Sequence, residues 1–512
     1  MRPSQAELQQ HLADIRAITG AWDRALAPRW PWLLHAGLLL IAAFAIRQIQ
    51  FGNPIIQVDD QFYLLVGERM LHGALPFVDI WDRKPVGLFL LYAAIRLLGG
   101  DGIIQYQLVA TLFAAATAFM IARLAQRIGN GFVALCAGAA YLLWIEWFGG
   151  DGGQTPVFYN ALMVGAALVV LAAIRPELAQ DRLRRLGCRA MLLVGLSLQI
   201  KYSCVFEGVF FGLVLLNRSW RVGDGAGRFL ANGALWIGCA LAPTLLAWLF
   251  YAAIGQNDAF VYANFLSIFE RIHEPIAILR FNLSRIVRNS LILTIPAIAG
   301  VWLARQPAPD SEAAWTRAFV WGWFAAAWAG LLVMGSYYDH YFLPVIVPVV
   351  LAVVPALTVS GIGPLFAIVI LVYGSVASDR VVNRNVKARG GETEVSRLVA
   401  LIQPELRGGC LFVFDGEPIL YDRTKACIPT RYAFPGHLNS IKEQTAIGVD
   451  GDAELKRVLA TNPAVIVVTR PPDRLRAAER YAIVDAVLAR RYRLVGGVQV
   501  GRLIRVVYAL KR

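Results

Sequence analysis

The feature that most constrains this chain is its series of apolar runs that approach or exceed the ~20 residues a helix needs to cross a bilayer. Backbone polar groups inside lipid must be satisfied within their own segment, so these runs have to be helical. Hydrophobic residues make up 57% of the 512 positions and charged residues only 16%. A soluble enzyme is therefore excluded, and the sequence predicts a polytopic α-helical membrane protein.

The net charge of +14 is distributed as in a membrane protein rather than a nucleic-acid-binding protein. Arginines cluster in short segments between apolar runs, at 123–127, 175–189 and 218–221. Such clusters mark cytoplasmic loops. Residues 2–30 carry acids as well as arginines and are interpreted as a cytoplasmic preamble, not a cleaved signal peptide. No nucleic-acid partner is expected.

The same rule orients the predicted spans. The basic flank before residue 32 places the N-terminus inside. Segment 86–100 is short and contains Arg96, so we expect it to lie along or dip into the outer face, which keeps 123–127 inside. About eleven crossings result, with the C-terminus outside. They are predicted at 32–49, 103–122, 131–148, 157–174, 189–200, 202–217, 229–254, 287–304, 318–335, 341–358 and 361–377.

From Asp379 onward the pattern changes from membrane spans to a small α/β domain. "CLFVFDG", "AVIVVTRPPD" and "RLIRVVYAL" have the character of strands, and three amphipathic segments lie between them. We therefore predict a membrane domain at 1–378 and an extracytoplasmic α/β domain at 379–512. No nucleotide-binding glycine motif opens a helix of this domain.

One polar segment interrupts the apolar pattern within the first outer loop, 51–102. Asp59 and Asp60 are followed by Tyr63. On a helix Asp59 and Tyr63 share a face, whereas adjacent acids diverge by about 100°. One acid can face a reaction centre while the other holds a divalent cation (Mg or Mn) or caps the helix, as Asp often does. These alternatives stay open for Asp60.

Arg83 and Lys84 follow the acids in the same loop, at the depth of lipid headgroups. Arginine offers planar paired donors and lysine a compact charge, and both suit a phosphate. The alternative is that these side chains reach ordinary lipid headgroups.

Taken together, these segments resemble the GT-C glycosyltransferases related to protein O-mannosyltransferases and aminoarabinose lipid A transferases. The resemblance rests first on "VDDQFYLLVGERMLHGALPFVDIWDRKPVG", with its acidic pair, tyrosine and Lys-Pro. It extends to "GLSLQIKYS" (195–203), "YYDHYFLPVIVPVV" (337–350) and "TRYAFPGHL" (430–438). The sequence departs from the family pattern at two positions. Phe62 stands where relatives often have arginine, and Asn160 stands where many have aspartate. Asp151 could take the place of that missing aspartate.

The resemblance implies sugar transfer from a polyprenyl-phosphate donor to an envelope glycolipid, polysaccharide or protein acceptor, with inversion. It implies that Asp59 occupies the position of the catalytic acid and that Asp60 is its catalytic neighbour. The donor phosphate or substrate would then be bound by Tyr63, Arg83, Lys84, Lys201, His340 and Tyr341. For His340 and Tyr341 an interfacial aromatic belt is the alternative.

The expected location is a bacterial inner membrane, with the active loop and the α/β domain on the periplasmic side. Two other functions remain: a transporter or flippase of lipid-linked sugars, and a lipid-binding scaffold without catalysis. Transporters usually show internal repeats and broken helices that meet at mid-membrane, and neither is evident in the sequence. Cys410 and Cys427 would share an oxidising compartment, where pairing is open.

Overall fold

The computed structural model describes Gln10 and residues 31–223, 225–473 and 475–511. The predicted cytoplasmic preamble lies outside the described residues, apart from Gln10. The first part of the chain is helical, and its α-helices are α1 Pro31–Arg47, α2 Val58–Leu71, α3 Val86–Arg96, α4 Ile103–Ala125, α5 Gly131–Trp147, α6 Thr155–Ala173, α7 Gln180–Leu198, α8 Val205–Arg221, α9 Gly225–Ala253, α10 Asn257–Val261, α11 Ile276–Leu303, α12 Glu312–Met334, α13 Leu343–Leu357 and α14 Gly363–Arg389.

Eight helical segments in the described part are long and apolar enough to cross a membrane, so the predicted eleven crossings are not confirmed. The other three predicted spans coincide with helices α5, α7 and α8. Helices α5 and α8 have 17 residues each, and the first half of α7 carries several charges. Segment 86–100 contains α3, a helix of 11 residues that falls among the shorter apolar helices.

Helix α13 lies at the centre of the bundle. Its sequence, LPVIVPVVLAVVPAL, has no polar side chain, and all its residues except Pro344 are buried. A helix that is apolar on every side is buried in protein or in lipid, and α13 packs against α11, α12 and α5. The turn that precedes it, Asp339–Phe342, is thereby fixed beside the site described below.

The C-terminal part has the predicted α/β character, with one strand more than the sequence patterns indicated. The mixed sheet has the order β1-β2-β4-β3, with β1 parallel to β2 and the other pairs antiparallel. Its elements are α15 Glu392–Leu406, β1 Leu411–Val413, α16 Ile419–Thr424, α17 Pro435–Asn439, α18 Gly451–Ala460, β2 Val465–Arg470, α19 Ala478–Arg491, β3 Tyr492–Val500 and β4 Leu503–Leu510.

Two further features bear on the predicted domain. The boundary placed at residue 379 falls inside α14, because charged residues begin at Asp379 while the helix continues to Arg389. Cys410 and Cys427 form a disulfide, with their Cα atoms 4.5 Å apart. The pairing that the sequence left open is therefore made in the structure.

The C-terminal domain packs directly on the polar loop. Gln61 donates to the Glu417 carboxylate at 2.9 Å, and the Trp81 backbone N–H donates to the Arg431 carbonyl at 2.8 Å. The rings of Phe62 and Phe434 meet edge to face at 5.4 Å. The polar loop is thus enclosed between the helix bundle and the C-terminal domain.

Candidate active site

A cavity of about 640 Å³ opens where the polar loop, the helix bundle and the C-terminal domain meet. Its walls come from α2, the loop before α3, the turn between α7 and α8, and the turn before α13. Segment 434–443 of the C-terminal domain completes it. Seven of the residues predicted from the sequence line this one cavity: Asp59, Tyr63, Arg83, Lys84, Lys201, His340 and Tyr341.

Asp59 is the acid of the predicted pair that faces the cavity. It lies in the first turn of α2, where a carboxylate is favoured by the helix dipole, and Tyr63 follows one turn later on the same face. The side-chain amide of Gln154 lies 3.4 Å from the Asp59 carboxylate and donates to it. Asp59 is therefore oriented by a neighbour while remaining accessible to a substrate.

Asp60 points the other way, into the glycine-rich turn "GGDGG" at 149–153. One of its oxygens accepts a 2.7 Å hydrogen bond from the Gly153 N–H, and the other is buried without a hydrogen-bond partner. Burial raises the pKa of Asp60 well above its usual range, so the neutral acid is favoured. The alternative of a helix cap is wrong, because the N-cap is Gln57 and the Asp60 side chain bonds to Gly153.

The turn itself requires glycine where it meets Asp60. Gly152 has φ +77°, and a Cβ there would lie 2.1 Å from an Asp60 oxygen. A side chain at Gly153 would meet the Tyr92 hydroxyl at 2.2 Å. These close approaches explain why glycine occupies positions 152 and 153.

The two acids do not converge as the donors of one metal site. Asp59 faces the cavity, whereas Asp60 is buried behind it in a setting that favours its protonated form. Among the residues that the structure describes, no group of three or more His, Cys, Asp or Glu side chains could hold a metal ion. A divalent cation at this pair stays a prediction.

We expect the substitution Asp60→Asn to leave sugar transfer within about threefold of the wild type. An Asn oxygen can accept the Gly153 N–H in the same place, and Asp60 is not among the residues that line the cavity. The measurement is kcat and KM for transfer by the purified protein, with and without added Mg²⁺. A large loss that excess Mg²⁺ restores would instead show a cation held by both acids.

Lys201 and Lys84 line the cavity, and among the described residues no acidic side chain lies within hydrogen-bond distance of either ammonium. The Lys201 ammonium lies 4.7 Å from the centre of the Tyr341 ring and forms no ion pair with any described residue. Lys84 lies over the Tyr63 ring at 5.6 Å and 3.9 Å from the Asp82 carboxylate. Both cations are thus held beside aromatic faces at the wall of the cavity, where an anionic ligand can reach them.

Arg83 has a different environment from Lys84, although both line the cavity. Its guanidinium forms a 2.6 Å ion pair with Glu443 and donates to the Ala446 carbonyl at 2.9 Å. It also lies 5.1 Å from the centre of the Trp81 ring. Arg83 thus joins the polar loop to the C-terminal domain, and its charge is shared with an acid.

Sequence patterns missed several residues of this cavity. Arg271, from the loop after α10, forms an ion pair with Glu443, and Tyr338 donates to Glu274. Burial works to raise the pKa of Glu443, but the charges of Arg83 and Arg271 outweigh it and lower the pKa to about 2. Tyr338 belongs to the quoted segment 337–350, whereas Arg271, Glu274 and Glu443 belong to no quoted motif, so no signal in the sequence brought these residues together.

Asn160, which stands where many relatives carry an aspartate, and Asp151, which was expected to replace that aspartate, both lie outside the cavity wall. Asp151 accepts a 2.6 Å hydrogen bond from Gln57 and pairs with Arg389 at 3.5 Å. The Asn160 amide donates to the Leu343 carbonyl at 3.2 Å and so joins α6 to α13. Both residues support the elements around the site.

The remaining wall of the cavity is apolar and partly open. It is formed by side chains of α8, α9, α12 and the segment after α10, among them Phe206, Leu241, Phe265, Phe269 and Leu331. Phe269 is 84% exposed and Leu241 is 43% exposed, so this groove extends to the outer surface of the bundle. The cavity therefore combines a polar end, with an acid and cations, and a long apolar side.

The fold of this chain is similar to the folds of solved membrane transferases, and the resemblance in the sequence implied a fold of this kind. No protein-family model and no curated protein matches the chain. Apo ArnT from Cupriavidus metallidurans superposes with a TM-score of 0.64 at 15% identity, over 93% of this chain and 97% of that one. The same protein bound to undecaprenyl phosphate gives 0.63 at 14% identity, over 94% and 98%. The arabinofuranosyltransferase AftD from Mycobacteria gives 0.51 at 16%, over 95% of this chain and 42% of that one.

Proposed function

We propose that the protein is an integral-membrane glycosyltransferase that moves a sugar from a polyprenyl-phosphate donor to an acceptor of the cell envelope. The observation that carries the proposal is the cavity in which the Asp59 carboxylate shares one wall with Lys84 and Lys201. The similarity to ArnT bound to undecaprenyl phosphate supports this choice of donor class.

The donor fits the cavity by its chemistry. Its phosphate would lie between Lys84 and Lys201, where the negative charge of the leaving group develops. Its polyprenyl chain would follow the apolar groove toward the bilayer. A soluble nucleotide-sugar donor would have no use for that groove.

In the proposed reaction Asp59 acts as the general base. It accepts the proton of the acceptor hydroxyl, whose oxygen forms a bond to the anomeric carbon of the donor sugar. The bond from that carbon to the phosphate oxygen breaks, and its electron pair stays on the phosphate between the two lysines. A single displacement inverts the anomeric centre, and the only carboxylate it requires is a general base, which is the role proposed for Asp59.

The proposed setting is a bacterial inner membrane, with the N-terminus cytoplasmic and the cavity and C-terminal domain on the periplasmic side. Arginine-rich loops at the opposite helix ends support this orientation. The Cys410–Cys427 disulfide supports it independently, since disulfides persist in oxidising compartments.

The proposal is tested by mass spectrometry of envelope glycolipids, polysaccharides and proteins from a deletion strain. We expect one glycosylated species to disappear and to return with the wild-type gene. Purified protein in liposomes, supplied with envelope extract and donor on the same face, should form that species. Donor movement across the bilayer without any product would favour the flippase, and neither product nor movement would favour the scaffold.

The charge of Lys201 should make donor binding depend on pH. Burial and the nearby charge of Lys84 lower the pKa of Lys201 to about 8, so this lysine loses its proton as the pH rises through that value. Affinity for a phosphodiester donor, which does not titrate in this range, should fall roughly tenfold between pH 7 and pH 9. Lys201→Arg stays charged and should flatten the profile. If donor affinity depends on pH in that variant as it does in the wild type, Lys201 does not bind the phosphate.

A further inference from the structure

A second concave site of about 660 Å³ lies on the far side of the segment that closes the cavity. It is formed by the end of α2, the loop after it, and residues 427–432 and 449–457 of the C-terminal domain. Three arginines line it, Arg69, Arg431 and Arg457, and we call it the arginine pocket.

Of the three arginines, one is held in an ion pair and two are held by neutral groups. Arg457 is neutralised by Glu454, to which it donates two hydrogen bonds of 2.7 Å. Arg69 donates to the Ala426 carbonyl at 2.9 Å, and Arg431 donates to the Tyr432 hydroxyl at 2.8 Å. Neither Arg69 nor Arg431 forms an ion pair with any residue that the structure describes.

The other walls of the pocket suit a sugar. Ile428, Pro429 and Val449 present apolar surface, and the Asp79 carboxylate adds oxygen that can accept hydrogen bonds from sugar hydroxyls. Guanidinium groups bind phosphate and carboxylate through paired donors. From this set we propose that the arginine pocket binds a saccharide that carries a phosphate or carboxylate group.

The segment "TRYAFPGHL" separates the two sites. Its first residues, Thr430 to Tyr432, line the arginine pocket, whereas Phe434 and His437 line the cavity. The backbone N–H of Trp81 donates to the Arg431 carbonyl at 2.8 Å, and Trp81 directly precedes the Asp82–Lys84 part of the cavity wall. An anionic saccharide in the pocket would therefore be held next to the reacting groups. The assignment of this saccharide to the acceptor rests on the proposed function, whereas the binding of an anionic saccharide does not.

The test measures binding of glucose 6-phosphate and glucuronate to the purified full-length protein in detergent, by calorimetry and ligand-observed NMR, with glucose as the neutral control. We expect saturable binding of one or both anions and none of glucose. Arg431→Gln should weaken binding about tenfold or more, because it removes a charged hydrogen-bond donor from the pocket. Tighter binding of one anion identifies the charged group.

Two matched variants complete the design. Arg493→Gln removes an arginine of the same domain that is half exposed and pairs with Glu405, and it should bind as the wild type does. Lys84→Met alters only the cavity and should also leave binding unchanged. If Arg431→Gln does not fold, Arg69→Gln tests the same pocket. The proposal is overturned if the wild type shows no saturable binding, if Arg493→Gln weakens binding as much, or if Lys84→Met abolishes it.

Discussion

The substitution Asp59→Asn should reduce sugar transfer by about 10³-fold or more while the protein remains folded. Of the adjacent acids, Asp59 alone lines the cavity, and Gln154 orients its carboxylate. An amide of the same shape keeps that position but cannot accept a proton. General base catalysis contributes typically 10²–10⁴-fold, so the loss falls on kcat.

The measurement is initial rate against donor concentration for purified wild type and Asp59→Asn. Donor binding should change little, because the proposed phosphate ligands are Lys84 and Lys201 rather than Asp59. Asp60→Asn is the matched control, since it makes the same chemical change one residue along the helix. Equal losses in the two variants, or transfer that survives in Asp59→Asn, would contradict the assignment of the base.

Much of this arrangement could be predicted because it is encoded locally. The acidic pair, Lys84, and the motifs around Lys201 and His340 each lie within a short segment next to an apolar run. Chain direction and the charge rule then place those segments at the same end of the bundle. The structure brings them to one cavity, as the resemblance to GT-C glycosyltransferases implied.

The features that could not be predicted depend on distant parts of the chain. The opposite orientations of Asp59 and Asp60 are set by the turn at 149–153, which lies almost a hundred residues away. The sequence alone predicts that Arg83 binds phosphate. In the structure Arg83 forms an ion pair with Glu443 of the C-terminal domain. Strand β3 was missed because its paired glycines obscure the alternation, and its pairing with β4 shifts register between Leu494 and Gly496.

A second large effect is expected from Arg47, at the end of the first membrane helix. Arg47 is buried and pairs with the equally buried Glu146. Its guanidinium also donates to the carbonyls of Gly150 at 3.0 Å and Gly152 at 2.5 Å. Gln50 joins the same network, donating to Glu146 and accepting from the Gly152 N–H at 2.8 Å. The network holds the turn against which Asp60 packs and from which Gln154 reaches Asp59.

Arg47→Met should lower the free energy of unfolding by about 3–5 kcal/mol, because it leaves the Glu146 carboxylate buried without its partner. The measurement is denaturant-induced unfolding in mixed micelles, followed by tryptophan fluorescence. The double variant Arg47→Met/Glu146→Leu removes both charges and should recover part of that stability.

Activity in the double variant separates stability from positioning. If Arg47 only stabilises the bundle, kcat should return with the folded protein. If it also positions the turn, kcat stays low although stability recovers, because the Gly150 and Gly152 carbonyls still lack their donor and Gln154 no longer holds Asp59. We expect the second result, with KM for the donor near the wild-type value, since neither Lys84 nor Lys201 contacts this network.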